Sequence, residues 1–268
     1  FVSVATRRFC SPPVTSTAYH RGTRIVMNIC SDMEIAALTH RGLVREVNED
    51  RHYVKCLDGQ TLLMAVVDGM GGGPAGSAAA ETMREALTEY PVAAPHPQKA
   101  LADLVVTASE AILGIAHDNP ALEGMGTTVT ATVLSNGTAH WVHVGDTRFY
   151  VFRQGRLTQV TTDQTMAQLL VEEGRLTPDE ARTHPYGHLL DQCVGCPDCE
   201  PVTGSLPIEP GDLLLQTTDG LHDALSEREI IDILTSSHAS LEKKAAALIS
   251  AALDTGGNDN MTVVLATI

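Results

Sequence analysis

At 268 residues, 43% of them hydrophobic, the chain is long enough for one large α/β domain, and no Ser/Pro/Gly-rich linker divides it after its first 30 residues. Its formal charge of −15 argues against an extended nucleic-acid surface and against binding to anionic membranes. No apolar run approaches the ~20 residues that a membrane helix needs, so the expectation is a soluble, cytoplasmic protein.

Residues 1–30 contain Arg7, Arg8, Arg21 and Arg24, no acid, and scattered Ser, Thr and Pro without a sustained apolar period. This segment reads as a disordered basic tail, dispensable for folding, ahead of a single domain over 31–268. A start at Met27 or Met33 would make the preceding residues translated upstream sequence. Six cysteines without a secretory signal fit reduced thiols. Cys193-x-x-Cys196-x-x-Cys199 has metal-like spacing, but it lacks a nearby fourth cysteine, and Pro197-Asp198 makes it a turn.

Ile35 to Leu38 predicts a short strand, followed by a turn at Gly42 and by Asn48-Glu49-Asp50. Strands over 51–57 and 61–68 form a hairpin through Asp58-Gly59. Its second strand, Leu62 to Val67, is continuously apolar, and it ends in Asp68 and the cluster Gly69-Met70-Gly71-Gly72-Gly73. Such a strand is covered on both faces, and an ionised carboxylate at its exit is costly unless a cation offsets it. Helices follow over 75–90 and 98–117, the second striped by Leu101, Leu104, Val105, Ala108, Ile112 and Ile115. Strands over 127–134, 139–144, 147–153 and 156–160 make an antiparallel meander, with Asp146 in one turn. Helices over 165–173 and 178–182 form an insertion, the latter opened by the capping box Thr177-Pro178-Asp179-Glu180. A strand over 212–217, a helix capped by Ser226, an apolar stripe from Leu241 to Ala252 and a last strand from Met261 to Leu265 complete the chain. Hairpins and helices in separate blocks predict an α+β fold, with two antiparallel sheets face to face and helices outside each.

Asp68, Asp219 and Asp259 each join an apolar strand to a Gly- or Asn-flanked turn, and Glu49-Asp50 precedes the first hairpin. Acids so placed suit hard divalent cations, and without an H-x-x-x-H pattern zinc is disfavoured. Asp163, Asp179 and Asp212 read as ordinary turn or surface acids. Gly71-Gly72-Gly73-Pro74-Ala75-Gly76 satisfies G-x-G-x-x-G, so dinucleotide binding is the second reading, but the parallel strand that such a unit requires does not follow.

Arg45 to Asp50, Val67-Asp68-Gly69-Met70-Gly71-Gly72, Gly124-Met125-Gly126-Thr127-Thr128, Val144-Gly145-Asp146-Thr147-Arg148, Thr218-Asp219-Gly220 and Asn258-Asp259-Asn260-Met261 occur in the order found in metal-dependent protein phosphatases. Over residues 35–268 the chain resembles the PPM family, protein phosphatase 2C type, its bacterial branch above all. The resemblance implies a four-layer α-β-β-α sandwich and hydrolysis of phosphoserine and phosphothreonine on protein substrates of a serine/threonine kinase by a monomer. It also implies two Mn2+ or Mg2+ ions. Asp68 would bridge them, Gly69 and Glu49 would serve one, and Asp219 and Asp259 the other. Asp146 with Asp219 would hold a weaker third ion, Asp50 would orient the attacking water, and Arg45 would grip the phosphate. The insertion at about 162–193 corresponds to the family's flap. Relatives carry a histidine where this chain has Met70 or Gly73, so its absence predicts a preference for aryl over alkyl phosphates. His40 and His222 adjoin site residues but read more naturally as surface or packing histidines.

Overall fold

The structure, a computed structural model, describes residues 16–20, 23–30, 33–236 and 239–268. In chain order the strands are β1 (Ser16–His20), β2 (Thr23–Cys30), β3 (Met33–His40), β4 (Arg51–Cys56), β5 (Leu62–Val67) and the short β6 (Gly69–Met70). Helices α1 (Pro74–Ala86) and α2 (Pro97–Asp118) follow. Next come β7 (Gly126–Thr127), β8 (Val129–Ser135), β9 (Thr138–Val144), β10 (Arg148–Arg153) and β11 (Arg156–Gln159). After α3 (Met166–Glu172) and α4 (Pro178–Ala181) come β12 (Val202–Pro207), β13 (Leu213–Thr217), α5 (Asp219–His222), α6 (Glu227–Thr235), α7 (Leu241–Asp254) and β14 (Met261–Thr267).

Two large antiparallel sheets result, in the orders β1-β2-β3-β14-β13-β10-β11 and β12-β9-β8-β5-β4, and β6 pairs with β7 in a small third one. The alternation of side chains along each strand sorts the apolar residues into three cores. Leu62, Met64 and Val66 of β5 meet Phe149, Leu214 and Val264 between the sheets. Leu63, Ala65 and Val67 face α1 and α2 through Ala79, Met83, Leu101 and Val105. Leu215, Val263 and Leu265 face α6 and α7 on the far side. The fully buried apolar run of β5 is thus explained by its place between two layers.

Helix α2 is, by length and composition, long and apolar enough to cross a membrane, contrary to the expectation from sequence. It nevertheless packs on the sheet by Leu101, Val105, Ala108 and Ile112, while Leu104 is half-buried and Ile115 exposed. That is the stripe of a core helix. The Asp58-Gly59 turn is longer than a two-residue hairpin, closing from the Leu57 amide to the Thr61 carbonyl while Asp58 Oδ1 accepts the Gln60 and Thr61 amides. Strand β12 escaped the sequence reading because Gly204 and Pro207 weaken its signal. It is an edge strand on which Gly204 leaves room for the Trp141 ring.

The tail also needs correction. Residues 1–15, 21 and 22 lie outside the described residues, but β1 and β2 form a hairpin, and β2 pairs with β3 from Arg24↔Thr39 to Cys30↔Met33. Averaging composition over the segment hid the run Ile25-Val26-Met27-Asn28-Ile29, whose β-branched residues favour a strand. Cys30 is joined to Cys56 of the other sheet, and Cys193 to Cys196, each pair with Cα atoms 5.4 Å apart, so the expectation of thiols throughout fails here too. Deleting residues 1–30 should therefore lower the melting temperature by at least several degrees, since β3 becomes an edge and the Cys30–Cys56 link, typically worth ~2–4 kcal/mol, is lost. A truncated protein melting with the full chain would show that the hairpin adds nothing.

Candidate metal centre

Strand ends deliver acids to one edge of the sandwich. Arg45, Glu49, Asp68, Gly69, Asp146, Asp219 and Asp259 all line one cleft of about 360 Å3. Asp50 lies below it, 1% exposed. Every site residue expected from sequence therefore falls in or directly under this cleft.

Local interactions fix these positions. The Asp68 carbonyl accepts the Thr127 hydroxyl at 2.7 Å and the Thr128 amide at 2.8 Å, which pins the exit of β5 to β7. Asn260 accepts the Glu49 amide at 2.8 Å and donates to the Arg41 and Val47 carbonyls, which locks the loop before β4 onto the start of β14. Asp50 Oδ2 accepts the hydroxyls of Thr218 at 2.8 Å and Thr262 at 2.7 Å. Glycine is required where backbones meet: a Cβ on Gly69 would strike the Gly76 carbonyl, and one on Gly76 would strike Glu49 Oε1.

The cleft is an excess of negative charge with little to balance it. Burial, with Asp219 and Asp259 nearby, raises the Asp50 carboxyl to about 7 despite its two hydroxyl donors. Burial and then Asp259 and Asp223 raise Asp219 to about 6. Asp68 and Asp146 are also pushed up, by burial first and then by neighbouring carboxylates, Asp50 and Asp219 for Asp68 and Asp219 and Asp163 for Asp146. Burial also raises Glu49, and the nearby Asp259 acts in the same direction. Arg45, at the rim, holds Asp259 at 2.7 Å. Glu49 Oε1 and Asp50 Oδ1 are buried without a hydrogen-bond partner among the described residues. Orphaned carboxylate oxygens in an all-oxygen donor set fit divalent Mn or Mg.

A family model described as protein phosphatase 2C matches residues 40–255. The chain belongs to that family. The serine/threonine protein phosphatase PstP of Mycobacterium tuberculosis is 39% identical over 238 residues, covering 88% of this chain but 45% of PstP, so the chain spans about half the length of that relative. Protein phosphatase PhpP of Streptococcus pneumoniae is 35% identical over 249 residues, covering 87% of this chain and 96% of PhpP. The crystal structure of the PstP phosphatase superposes with a TM-score of 0.81 at 38% identity, covering 88% of this chain and 98% of that one. The PstP catalytic domain in complex with two manganese ions gives 0.78 at 37%, covering 88% and 97%. The protein phosphatase 2C assignment agrees with the layers described above.

The dinucleotide reading fails on topology: β5 pairs antiparallel with β4 and β8, and α1 leads to α2 rather than to a parallel strand. Asp163 and Asp212 are structural, gripped by Arg148 and Arg153 at 2.6 Å, and Asp179 lies in the first turn of α4. Neither candidate histidine reaches the cleft. His40 Nδ1 accepts the Gly42 amide, and His222 is buried with Nδ1 2.8 Å from the Thr217 hydroxyl. Among the described residues, the cleft is instead lined by His188, which sequence reading missed because nothing in its neighbourhood resembles a ligand motif. A positioned general acid is worth ~10²–10⁴-fold, so a leaving-group series should strongly favour aryl over alkyl phosphates, with His40→Ala and His222→Ala leaving the slope unchanged. A shallow slope would show that a group other than His40 or His222, such as His188 at the cleft wall or a bound water, supplies leaving-group protonation.

Proposed function

We propose that the chain is a metal-dependent protein serine/threonine phosphatase, hydrolysing phosphoserine and phosphothreonine on proteins modified by a serine/threonine kinase. One observation carries this reading: seven residues from separate strand ends and loops converge on one cleft that leaves buried carboxylate oxygens unpartnered. Glu49, Asp68, Asp219, Asp259 and the Gly69 carbonyl would hold two Mn2+ or Mg2+ ions, and Asp146 with Asp219 a weaker third. Such ions supply an activated water and neutralise charge that builds on the phosphate.

The chain's own residues do the rest. Arg45, half-exposed at the rim, offers a planar fork that fits two phosphate oxygens. Asp50 has Oδ2 fixed by Thr218 and Thr262 and keeps Oδ1 free to orient the attacking water. Residues 31–268 would act as one catalytic domain, and the flap at about 162–193 contributes His188, Leu189 and Leu190 to the cleft wall.

The test is hydrolysis of a phosphothreonine peptide in Mn2+ and in excess EDTA. Chelation should remove nearly all turnover and added Mn2+ restore it. Undiminished turnover in EDTA overturns the reading.

A further inference from the structure

The Cys193-x-x-Cys196-x-x-Cys199 motif has no part in the scheme above, yet it is joined to the cleft. Cys193 and Cys196 are disulfide-linked across a tight turn in which the Cys196 amide donates to the Cys193 carbonyl at 3.3 Å. Val194, inside that turn, pairs twice with Thr127: its amide donates to the Thr127 carbonyl at 2.8 Å, and its carbonyl accepts the Thr127 amide at 2.9 Å. Thr127 in turn donates its hydroxyl to the Asp68 carbonyl at 2.7 Å. Two contacts thus separate the disulfide from Asp68. A second route runs through Gly126, where Cys193 Sγ and Met70 Cε crowd the place a side chain would take, and Met70 lines the cleft.

A stabilising staple is a poor account of this bond. A disulfide restrains the unfolded chain more the longer the loop it closes, and these cysteines are 3 apart in sequence against 26 for Cys30 and Cys56. The turn is also held without it, since the Gly195 amide donates to Ser109 Oγ at 2.9 Å and Gly195 lies against Ile112 of α2. C-x-x-C spacing is instead that of thiol–disulfide exchange sites. Cys193 is 1% exposed and Cys196 half-buried, so an incoming thiolate meets Cys196 first. Cys199 is a free thiol hydrogen-bonded to Ser109, but burial pushes it up and keeps it protonated, so it does not open the disulfide unaided.

We propose that Cys193 and Cys196 form a thiol–disulfide exchange site for an external dithiol, and that its state sets how firmly Asp68 is held at the metal centre. A thiolate of the dithiol attacks Cys196 Sγ, a mixed disulfide forms there, and Cys193 leaves as a thiolate that takes up a proton. The second thiol of the dithiol gives up its proton and displaces Cys196, so two electrons and two protons pass from the dithiol to the protein. The opened turn frees Val194 to part from Thr127, which loosens the Thr127 hydroxyl on the Asp68 carbonyl. The coupling, though not the exchange itself, rests on the metal-centre reading.

In the experiment the full chain is incubated with dithiothreitol under anaerobic conditions and freed of it by gel filtration. Maleimide labelling with peptide mass mapping then identifies the open cysteines, and calorimetry measures Mn2+ affinity. Cys193 and Cys196 should take label at dithiothreitol concentrations that leave Cys30 and Cys56 joined, because the latter pack in the core between the sheets whereas Cys196 adjoins exposed Pro197 and Asp198. Opening should weaken Mn2+ binding about threefold to tenfold, the effect of loosening one hydrogen bond, and oxidised dithiothreitol should restore it. The double variant Cys193→Ser, Cys196→Ser should bind Mn2+ as the reduced wild type does, with no further response to dithiothreitol. The wild type compared with itself, oxidised and reduced, gives the same test without relying on a variant that folds. Cys193 and Cys196 that stay joined until Cys30 and Cys56 open, equal Mn2+ affinity in the two states, or a reduced chain that unfolds in EDTA each overturns the proposal. An oxidised chain that takes no Mn2+ overturns the metal-centre reading and the coupling with it, while the order of labelling still decides the exchange site.

Discussion

Asp68→Asn should reduce phosphothreonine hydrolysis by ~10³-fold or more, since losing a shared ligand forfeits several kcal/mol of charge stabilisation at ~1.4 kcal/mol per tenfold. The same substitution should leave the metal-free protein as stable as the wild type, or more so. Asp68 is half-buried, and desolvation together with Asp50, Asp219 and Asp146 pushes its carboxyl up, so its charge is a burden on the fold in the absence of a cation. Asparagine keeps the shape while it removes one charge from the cluster. Its carbonyl anchors to Thr127 and Thr128 are backbone interactions and survive. Activity assays in Mn2+ and melting curves in EDTA give the two readouts. Full activity refutes a bridging role, and a large fall in the EDTA melting temperature would make Asp68 a structural residue.

How far this site could be read in advance depended on whether each residue's signal was local. Asp68, Asp219 and Asp259 were legible because each ends or opens an apolar strand, and the structure buries those strands completely or nearly so. The role of Asp50 was not legible from its neighbours. Its setting depends on Thr218 and Thr262, which are 168 and 212 residues away and show no pattern of their own. His188 was invisible for the same reason, because its partner, Asp223, follows α5 and only the packing of the insertion brings them together. The family resemblance supplied what local chemistry could not for Arg45 and Asp146. It offered no guidance on β2, where low acidity and scattered Pro masked a strand whose partner, β3, supplies the ladder.

The metal-free protein should also lose stability as pH rises from about 6.5 to 8.5. Unfolded carboxyls titrate near ~4, whereas Asp50 in the folded protein titrates at about 7, and Asp68 and Asp146 are raised as well. Across that interval the native state binds more protons than the unfolded chain, so ionising these groups costs folding free energy. The contribution is complete below the unfolded value and disappears as pH passes the folded one. Two histidines act in the opposite sense at lower pH. Burial depresses His143 to about 4 and lowers His222 well below its usual value, so each adds stability as pH rises toward ~6.5 and nothing further above it. The fall should therefore emerge cleanly only above pH 6.5, where Asp50 alone accounts for on the order of 1 kcal/mol, or ~2–4 °C for a domain of this length, and Asp68 and Asp146 add to it in the same direction. Divalent ions bind the deprotonated acids, so Mn2+ should raise the melting temperature little at pH 5.5 and most at pH 8.5. Asp50→Asn should flatten part of the slope in EDTA. A melting temperature that holds level between pH 6.5 and 8.5 in EDTA would mean that the cluster is solvated well enough to ionise without cost, and the case for a cation as its missing partner would lose its electrostatic basis.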